Sequence, residues 1–201
     1  MRYVGERELV YDPSELGFPS ISGCHAIVLV TAQGLFGFHN LGNERPGDWP
    51  ALSGAWGQFV TTHVRGGRGG RMLYGVCYPE TKRGYTGVKR AQWLAELAAF
   101  ADKVGYTGPI WGYDLANAGI AQGSSYVHFT HMPTLGTCVI QARGWSADID
   151  EIKDDKGAND DPSNHKTTRP AQPIAAISNA VKITRRVGTA AMKTYYPERL
   201  R

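Results

Sequence analysis

Two short apolar runs, separated by three residues, constrain this chain more than any other feature. Residues 24–31 (CHAIVLVT) are rich in β-branched side chains, and residues 35–39 (LFGFH) form a second run. Ala32-Gln33-Gly34 between them is a turn. Strand-like runs joined this closely read as a β-hairpin. The hairpin also decides which side chains meet. With a two-residue loop, either Ala32-Gln33 or Gln33-Gly34, Cys24 stands opposite Leu41 or Asn43. Both of those share side-chain parity with His39, because side chains alternate with period two. Cys24 and His39 then project from one face as diagonal neighbours, about 7–8 Å apart at the backbone. A three-residue loop sets them on opposite faces.

Beyond the hairpin the hydrophobic period changes. Gly47-Asp48-Trp49-Pro50 is a helix-start signal, with Pro50 suited to the first turn. Leu52, Ala55, Trp56, Phe59, Val60 and His63 recur at three- and four-residue steps, one apolar face of a helix over 50–64. The glycine-rich RGGRGGR at 65–71 ends it, and MLYGVCY at 72–78 reads as a buried strand. A second helix is expected over 88–104. Trp93, Leu94, Leu97, Phe100, Ala101 and Val104 give its core face, and Gly105 its stop. Strands are expected near 109–113, 126–131 and 136–143. Twenty-five glycines in 201 residues predict many tight turns, which favours sheet over a helix bundle. The expected fold class is α+β: a mostly antiparallel, sandwich-like β core flanked by two main helices.

The length suits one sizeable core, expected over 1–147. Residues 148–170 (DIDEIKDDKGANDDPSNHKTTRP) are polar and charged, and read as an exposed loop or linker. Residues 171–201 form a basic C-terminal extension. In it, Pro173 starts a short helical pattern with Ile174, Ile177 and Val181 on one side. That pattern is too short to fold alone and is expected to dock on the core or on a partner. Net charge is +4, with Lys182, Arg185, Arg186, Lys193, Arg199 and Arg201 in the last twenty residues against one acid, Glu198. This balance suits recruitment of an acidic protein surface and falls short of a dedicated nucleic-acid binder. RGGRGGR reads as a flexible basic loop, since RNA modules also use aromatic platforms. The opening MRYVGERELVYD has charges where a signal peptide has its apolar stretch, so no such signal is expected. No apolar run reaches the roughly 18 residues of a membrane span, so no membrane partner is expected.

The three cysteines, at 24, 77 and 138, form no close pairs. That argues against a disulfide scaffold and fits a reducing compartment with a free thiol. A thiol beside an imidazole has a specific chemistry: the ring takes the proton and leaves a nucleophilic thiolate. Ser22-Gly23 supplies a turn of little bulk, whose amides, with that of Cys24, can hold a developing oxyanion. A buried cysteine is more often an inert small hydrophobe, so spacing alone does not establish catalysis. Cys77 and Cys138 lie in apolar runs and are expected in the core; with His128 they make a rival pair that lacks an activating motif. His128 and His131 are three apart on an expected strand, hence on opposite faces, which is poor for one metal. Asp114 reads as a turn residue, with orientation of a histidine as the alternative. GxSxG, HExxH and CxxC motifs are absent, and GIAQGSS at 119–125 lacks the ending of a phosphate loop.

SISGCHAIVLVTAQGLFGFHN at 20–40 resembles the signature of the deamidase superfamily that contains cytotoxic necrotizing factor and the chemoreceptor glutamine deamidase. There, Ser-Gly-Cys or Gly-Ser-Cys opens a strand, and a histidine follows about fifteen residues later on the next strand. Cys24 and His39 match those positions, and the order of elements is similar over 20–143. The resemblance implies a protein glutamine deamidase, with Cys24 as nucleophile and His39 as general base and acid. It implies no metal or organic cofactor, and a partner protein bearing the target glutamine. It also implies a bacterial effector exported by a non-Sec route to act in a target-cell cytosol, with loops such as 65–71 touching the substrate. Transglutamination by the same thioester stays open. In the chemoreceptor branch a threonine six residues before the cysteine orients the histidine; here that position is Phe18, and Ser20 is the nearest upstream hydroxyl. In the toxin branch a backbone carbonyl does this. Ser20 and Asn40 are the side-chain candidates. Residues 148–201 have no counterpart in the family. A cysteine peptidase or amidase using the same dyad, and a non-catalytic basic binding protein, are the alternatives.

Overall fold

The computed structural model describes residues 2–42, 45–64, 69–118, 120, 124–145, 151–153, 175–176, 184–186, 193–194 and 198–201. In chain order it runs β1 (Arg2–Tyr3), β2 (Glu8–Asp12), β3 (Glu15–Ile21), β4 (His25–Val30), β5 (Leu35–Asn40), α1 (Trp49–His63), β6 (Met72–Cys77), α2 (Lys89–Lys103), β7 (Ile110–Asp114), β8 (Ser124–Met132) and β9 (Thr137–Trp145). Five shorter strands follow: β10 (Glu151–Lys153), β11 (Ala175–Ala176), β12 (Thr184–Arg186), β13 (Lys193–Thr194) and β14 (Glu198–Arg199). The fold class is α+β, with mostly antiparallel pairing.

β4 and β5 are the hairpin read from the sequence. Their register pairs Val30 with Leu35 and Ala26 with His39, which makes Ala32-Gln33 the two-residue loop. The Thr31 N–H donates to the Gly34 carbonyl at 2.9 Å to close it. Gly34 has φ +149°, and the Asp12 carbonyl lies 2.6 Å from where a Cβ would sit, so the turn needs glycine here. Every residue of both strands is buried. Their near-continuous apolar character follows, because a strand covered on both faces has no polar side to show.

The coverage comes from two different layers. One sheet has the order β11-β2-β5-β4-β6-β7-β14, and the other β1-β3-β8-β9-β13. Cys24, Ala26 and Val28 enter the core between the sheets, with Leu16, Phe18, Val127 and Phe129. Ile27, Leu29, Phe36 and Phe38 face the other way. They meet Leu52, Trp56 and Phe59 of α1 and Trp93, Leu97 and Phe100 of α2. The apolar stripes read from the sequence are therefore the helix faces that cover the larger sheet, although Ala55 and His63 at the margin of α1 are only partly buried.

The N-terminal strands β1 to β3 extend the sheet content beyond the sequence reading. Two readings are corrected. Residues 151–153, read as loop, are a strand paired antiparallel with 184–186. Ala175–Ala176, read as part of a helix, pair parallel with Glu8–Leu9 of β2. Segments this short take their conformation from the strand they pair with rather than from their own periodicity. The rest of 148–170 and of the pattern from Pro173 to Val181, residues 65–68 of RGGRGGR, and 119 and 121–123 lie outside the described residues. At the C-terminus, β14 pairs with β7, and Leu200 packs against the helix-side core. Among the described residues no helix is long and apolar enough to cross a membrane.

Candidate functional site

Cys24 stands at a corner between the layers. β3 ends at Ile21 in the five-stranded sheet, and β4 begins at His25 in the seven-stranded one. Ser22-Gly23-Cys24 makes the crossing. Just before it, the β3 register shifts between Phe18 and Ile21, where Ser20 adopts φ +58°. Extending the β4–β5 register by one residue sets Cys24 opposite Leu41 and diagonal to His39. The two side chains share the face that looks into the sandwich. Sulfur, a ring nitrogen of His39 and a carboxylate oxygen of Glu6 all lie within 4.8 Å of one another.

Glu6 is the member that sequence reasoning missed. The Cys24 thiol donates to its Oε1 at 3.7 Å. Glu6 lies in the turn between β1 and β2, and that turn is tied to the hairpin. The Arg7 N–H donates to the His39 carbonyl at 2.8 Å, and the Gly5 N–H to Glu8 Oε2 at 2.7 Å. The charged GERE between the apolar Tyr3-Val4 and Leu9-Val10 was the available signal: a polar turn joining two short strands.

The same turn orients the imidazole. His39 Nδ1 lies 2.9 Å from the Val4 carbonyl. A carbonyl only accepts, so Nδ1 carries the proton and Nε2 keeps the basic lone pair. This is a main-chain acceptor rather than either side-chain candidate, Ser20 or Asn40. Asn40 follows His39 in β5 and so points to the opposite face, where its amide donates to Glu96 at 2.7 Å. The Ser20 hydroxyl accepts from Ser124 at 3.3 Å. The Phe18 ring packs beside His39 at 6.0 Å between centroids. Exposure is 2% for Cys24 and 0% for His39, so the pair is below the surface; Glu6 is half-buried and forms its outer edge.

A buried charge network lies behind the site, on the helix side of the same two strands. Arg83 reaches Glu96 through Nε at 3.2 Å and Nη2 at 2.6 Å. Its Nη1 donates to the Gly23 carbonyl at 3.2 Å and to the Leu41 carbonyl. One guanidinium thus holds the residue before Cys24 and the residue across from it. Since the peptide is planar and trans, the Cys24 N–H points away from Arg83. Gly42 packs on this corner so closely that a Cβ there would sit 2.6 Å from the Gly23 carbonyl carbon and oxygen. Glu96 also accepts from Tyr85 at 2.6 Å and lies 3.2 Å from His25 Nδ1. Burial works against the charge, but Arg83 and then His25 overcome it and hold the Glu96 carboxyl well below the usual carboxylate range. His25 is held below its ordinary value chiefly by burial, against the pull of Glu96. Its Nε2 accepts from the Trp93 indole at 3.1 Å, so a second ring proton would meet another donor.

Among the described residues the other cysteines belong to no comparable cluster of three ligating side chains. Cys77 packs in the helix-side core and Cys138 against the sandwich core, and burial pushes both thiols up. His131 lies 3.0 Å from the carbonyls of both Pro13 and Thr31, which is a structural bridge. Asp114 accepts from the Ala116 N–H at 2.9 Å, as a turn residue does. In comparison with known proteins, no family model matches the sequence and no curated protein matches it significantly. The class that the fold and site define is thus an α+β sandwich with a buried cysteine–histidine pair.

Proposed function

We propose that the chain is a cysteine-dependent protein glutamine deamidase. The observation that carries this reading is His39 with Nδ1 on the Val4 carbonyl and a ring nitrogen near the Cys24 sulfur. A backbone carbonyl in that position is what the toxin branch of the resembling superfamily uses. His39 takes the thiol proton, and the sulfur attacks the side-chain carboxamide carbon. The tetrahedral oxyanion forms beside the Ser22-Gly23-Cys24 amides. It collapses as the imidazolium gives its proton to departing ammonia, leaving a thioester. Water, deprotonated by His39, then attacks the thioester and returns the thiolate with a glutamate product. The product carries a new negative charge and loses two amide donors, which disables a glutamine that works by hydrogen bonding. A basic surface on the enzyme suits an acidic partner protein, and we propose action in a target-cell cytosol after non-Sec export.

The test is incubation with candidate acidic proteins, read by ammonia release and by mass spectrometry of glutamine-containing peptides. Wild type is expected to convert glutamine to glutamate, and Cys24→Ser and His39→Gln to lose that conversion. Peptide fragments without ammonia point instead to a peptidase; an amine incorporated at the glutamine points to transglutamination. Burial of Cys24 favours a second reading, an inert core thiol in a non-catalytic binding protein. Iodoacetamide labelling of the native protein separates the two: a catalytic Cys24 labels ahead of Cys77 and Cys138, an inert one does not.

A further inference from the structure

We propose that Glu6, Cys24 and His39 form a binding site for zinc(II), through which a metal ion reversibly blocks the thiol. The binding stands on the geometry of the three groups; the block on turnover rests on the deamidase reading above. Thiolate, imidazole and carboxylate are the three side-chain donors that zinc takes, and a single soft sulfur with a single carboxylate disfavours calcium and magnesium. The spacing is near what a tetrahedral ion needs. Bonds of about 2.3 Å to sulfur and 2.0–2.2 Å to oxygen set those two atoms roughly 3.5 Å apart. The Cys24 sulfur and Glu6 Oε1 are 3.7 Å apart. All three donor atoms fall within 4.8 Å, so closure asks for a contraction of roughly 1.3 Å at most.

Two further features point the same way. Zinc-bound histidines give their second ring N–H to a carbonyl or carboxylate, which fixes the ligating nitrogen. The Val4 carbonyl 2.9 Å from Nδ1 already does this and leaves Nε2 as the ligand. The charges also balance: a thiolate and a carboxylate neutralise the divalent ion, so the buried site holds no net charge. On binding, the S–Zn bond forms as the thiol proton leaves to water, and the sulfur lone pair is no longer free to attack a carboxamide. Three protein ligands leave a fourth position for water.

The experiment uses the full chain. Equilibrium dialysis against micromolar zinc measures the ions bound per chain, and cobalt(II) substitution reads sulfur ligation as a thiolate charge-transfer band. Wild type and Cys138→Ala are expected to bind one ion with the band. Cys24→Ala is expected to lose the band, and Glu6→Gln to bind about tenfold or more weaker. Zinc should also slow alkylation of Cys24 in wild type, with a chelator restoring it, a readout that needs no variant to fold. No stoichiometric uptake, or equal affinity in Glu6→Gln and Cys138→Ala, overturns the inference. Ammonia release in chelator tests the other reading separately. Zinc uptake with no turnover leaves the metal site standing and removes the deamidase, while turnover indifferent to zinc does the reverse.

Discussion

Replacing Glu96 with glutamine tests whether the buried network holds the corner that carries Cys24. The carboxylate accepts from Arg83 Nε and Nη2, from Asn40 and from Tyr85. Glutamine keeps one acceptor oxygen and makes the other position a donor. It then faces Arg83 and either Asn40 or Tyr85 donor against donor. The substitution also strips the negative charge from beside a guanidinium that is 2% exposed. Removing one partner of a buried ion pair costs about 3–5 kcal/mol. At about 2–4 °C per kcal/mol for a chain of this size, the unfolding midpoint should fall by about 6–20 °C. Thermal unfolding followed by circular dichroism measures this. Arg83→Met should cost a similar amount, since it orphans the carboxylate and frees the Gly23 and Leu41 carbonyls. The double variant removes both charges, and its cost should fall about 1–3 kcal/mol short of the sum of the singles. Strict additivity, or a Glu96→Gln cost within about 0.5 kcal/mol, typical of a surface change, refutes the coupled network.

Acid should destabilise the fold in two stages. His25 is held below its usual 6.5, so the unfolded chain takes that proton first and stability falls as pH drops through 6.5. Glu96 is held below its usual 4.5, so a second loss begins as pH drops through 4.5. Urea titrations across pH should show both, and His25→Asn should remove the first. Tyr74 and Tyr106 are pushed up to about 12, mainly by burial, so stability should also fall as pH rises from 10 towards 12, read in the same titrations. Glu6→Gln removes a negative charge from beside a developing thiolate, so alkylation of Cys24 should accelerate by about tenfold in stopped-flow labelling; an unchanged rate means that the carboxylate does not face the sulfur in solution. Gly42→Ala would set a Cβ 2.6 Å from the Gly23 carbonyl and should drive that backbone away, costing about 1–3 kcal/mol in unfolding free energy and altering Cys24 labelling but not that of Cys138.

What the sequence carried is what local periodicity and turn chemistry can carry. The Ala32-Gln33 loop was one of two readings that set Cys24 and His39 on one face, and it is the one found. The helices expected over 50–64 and 88–104 are found at Trp49–His63 and Lys89–Lys103, within one residue at each end. Groups that reach the site from far along the chain were not legible. Val4 and Glu6 meet the hairpin only because β1 and β2 join different sheets, and no local pattern states that pairing. Arg83 and Glu96 drew no reading from the sequence, because neither an isolated arginine in a turn nor a glutamate on a helix announces a buried partner. Asn40 misled for a simpler reason. Adjacency in sequence along a strand guarantees opposite faces, so the residue after His39 was the wrong place to look for its orienting group.

That alternation also explains why the site takes this form. At the Cys24 end of β4 and β5, one face carries the thiol and its histidine, and the other a charge network that must be fully satisfied to be tolerated. His25 and Asn40 are paired across the strands and both face Glu96, while Cys24 and His39, one step along, face the sandwich. Arg83 joins the two sides through main-chain carbonyls rather than through the reactive groups. A perturbation of the network should therefore move the backbone at residue 23, and with it the Cys24 amide, without changing the Val4 carbonyl that holds the His39 ring. This separates positioning from proton transfer. In the deamidase reading, Arg83→Met should lower the turnover number while keeping the shape of its pH profile, whereas changing the Val4 turn so that its carbonyl leaves Nδ1 should shift the profile itself.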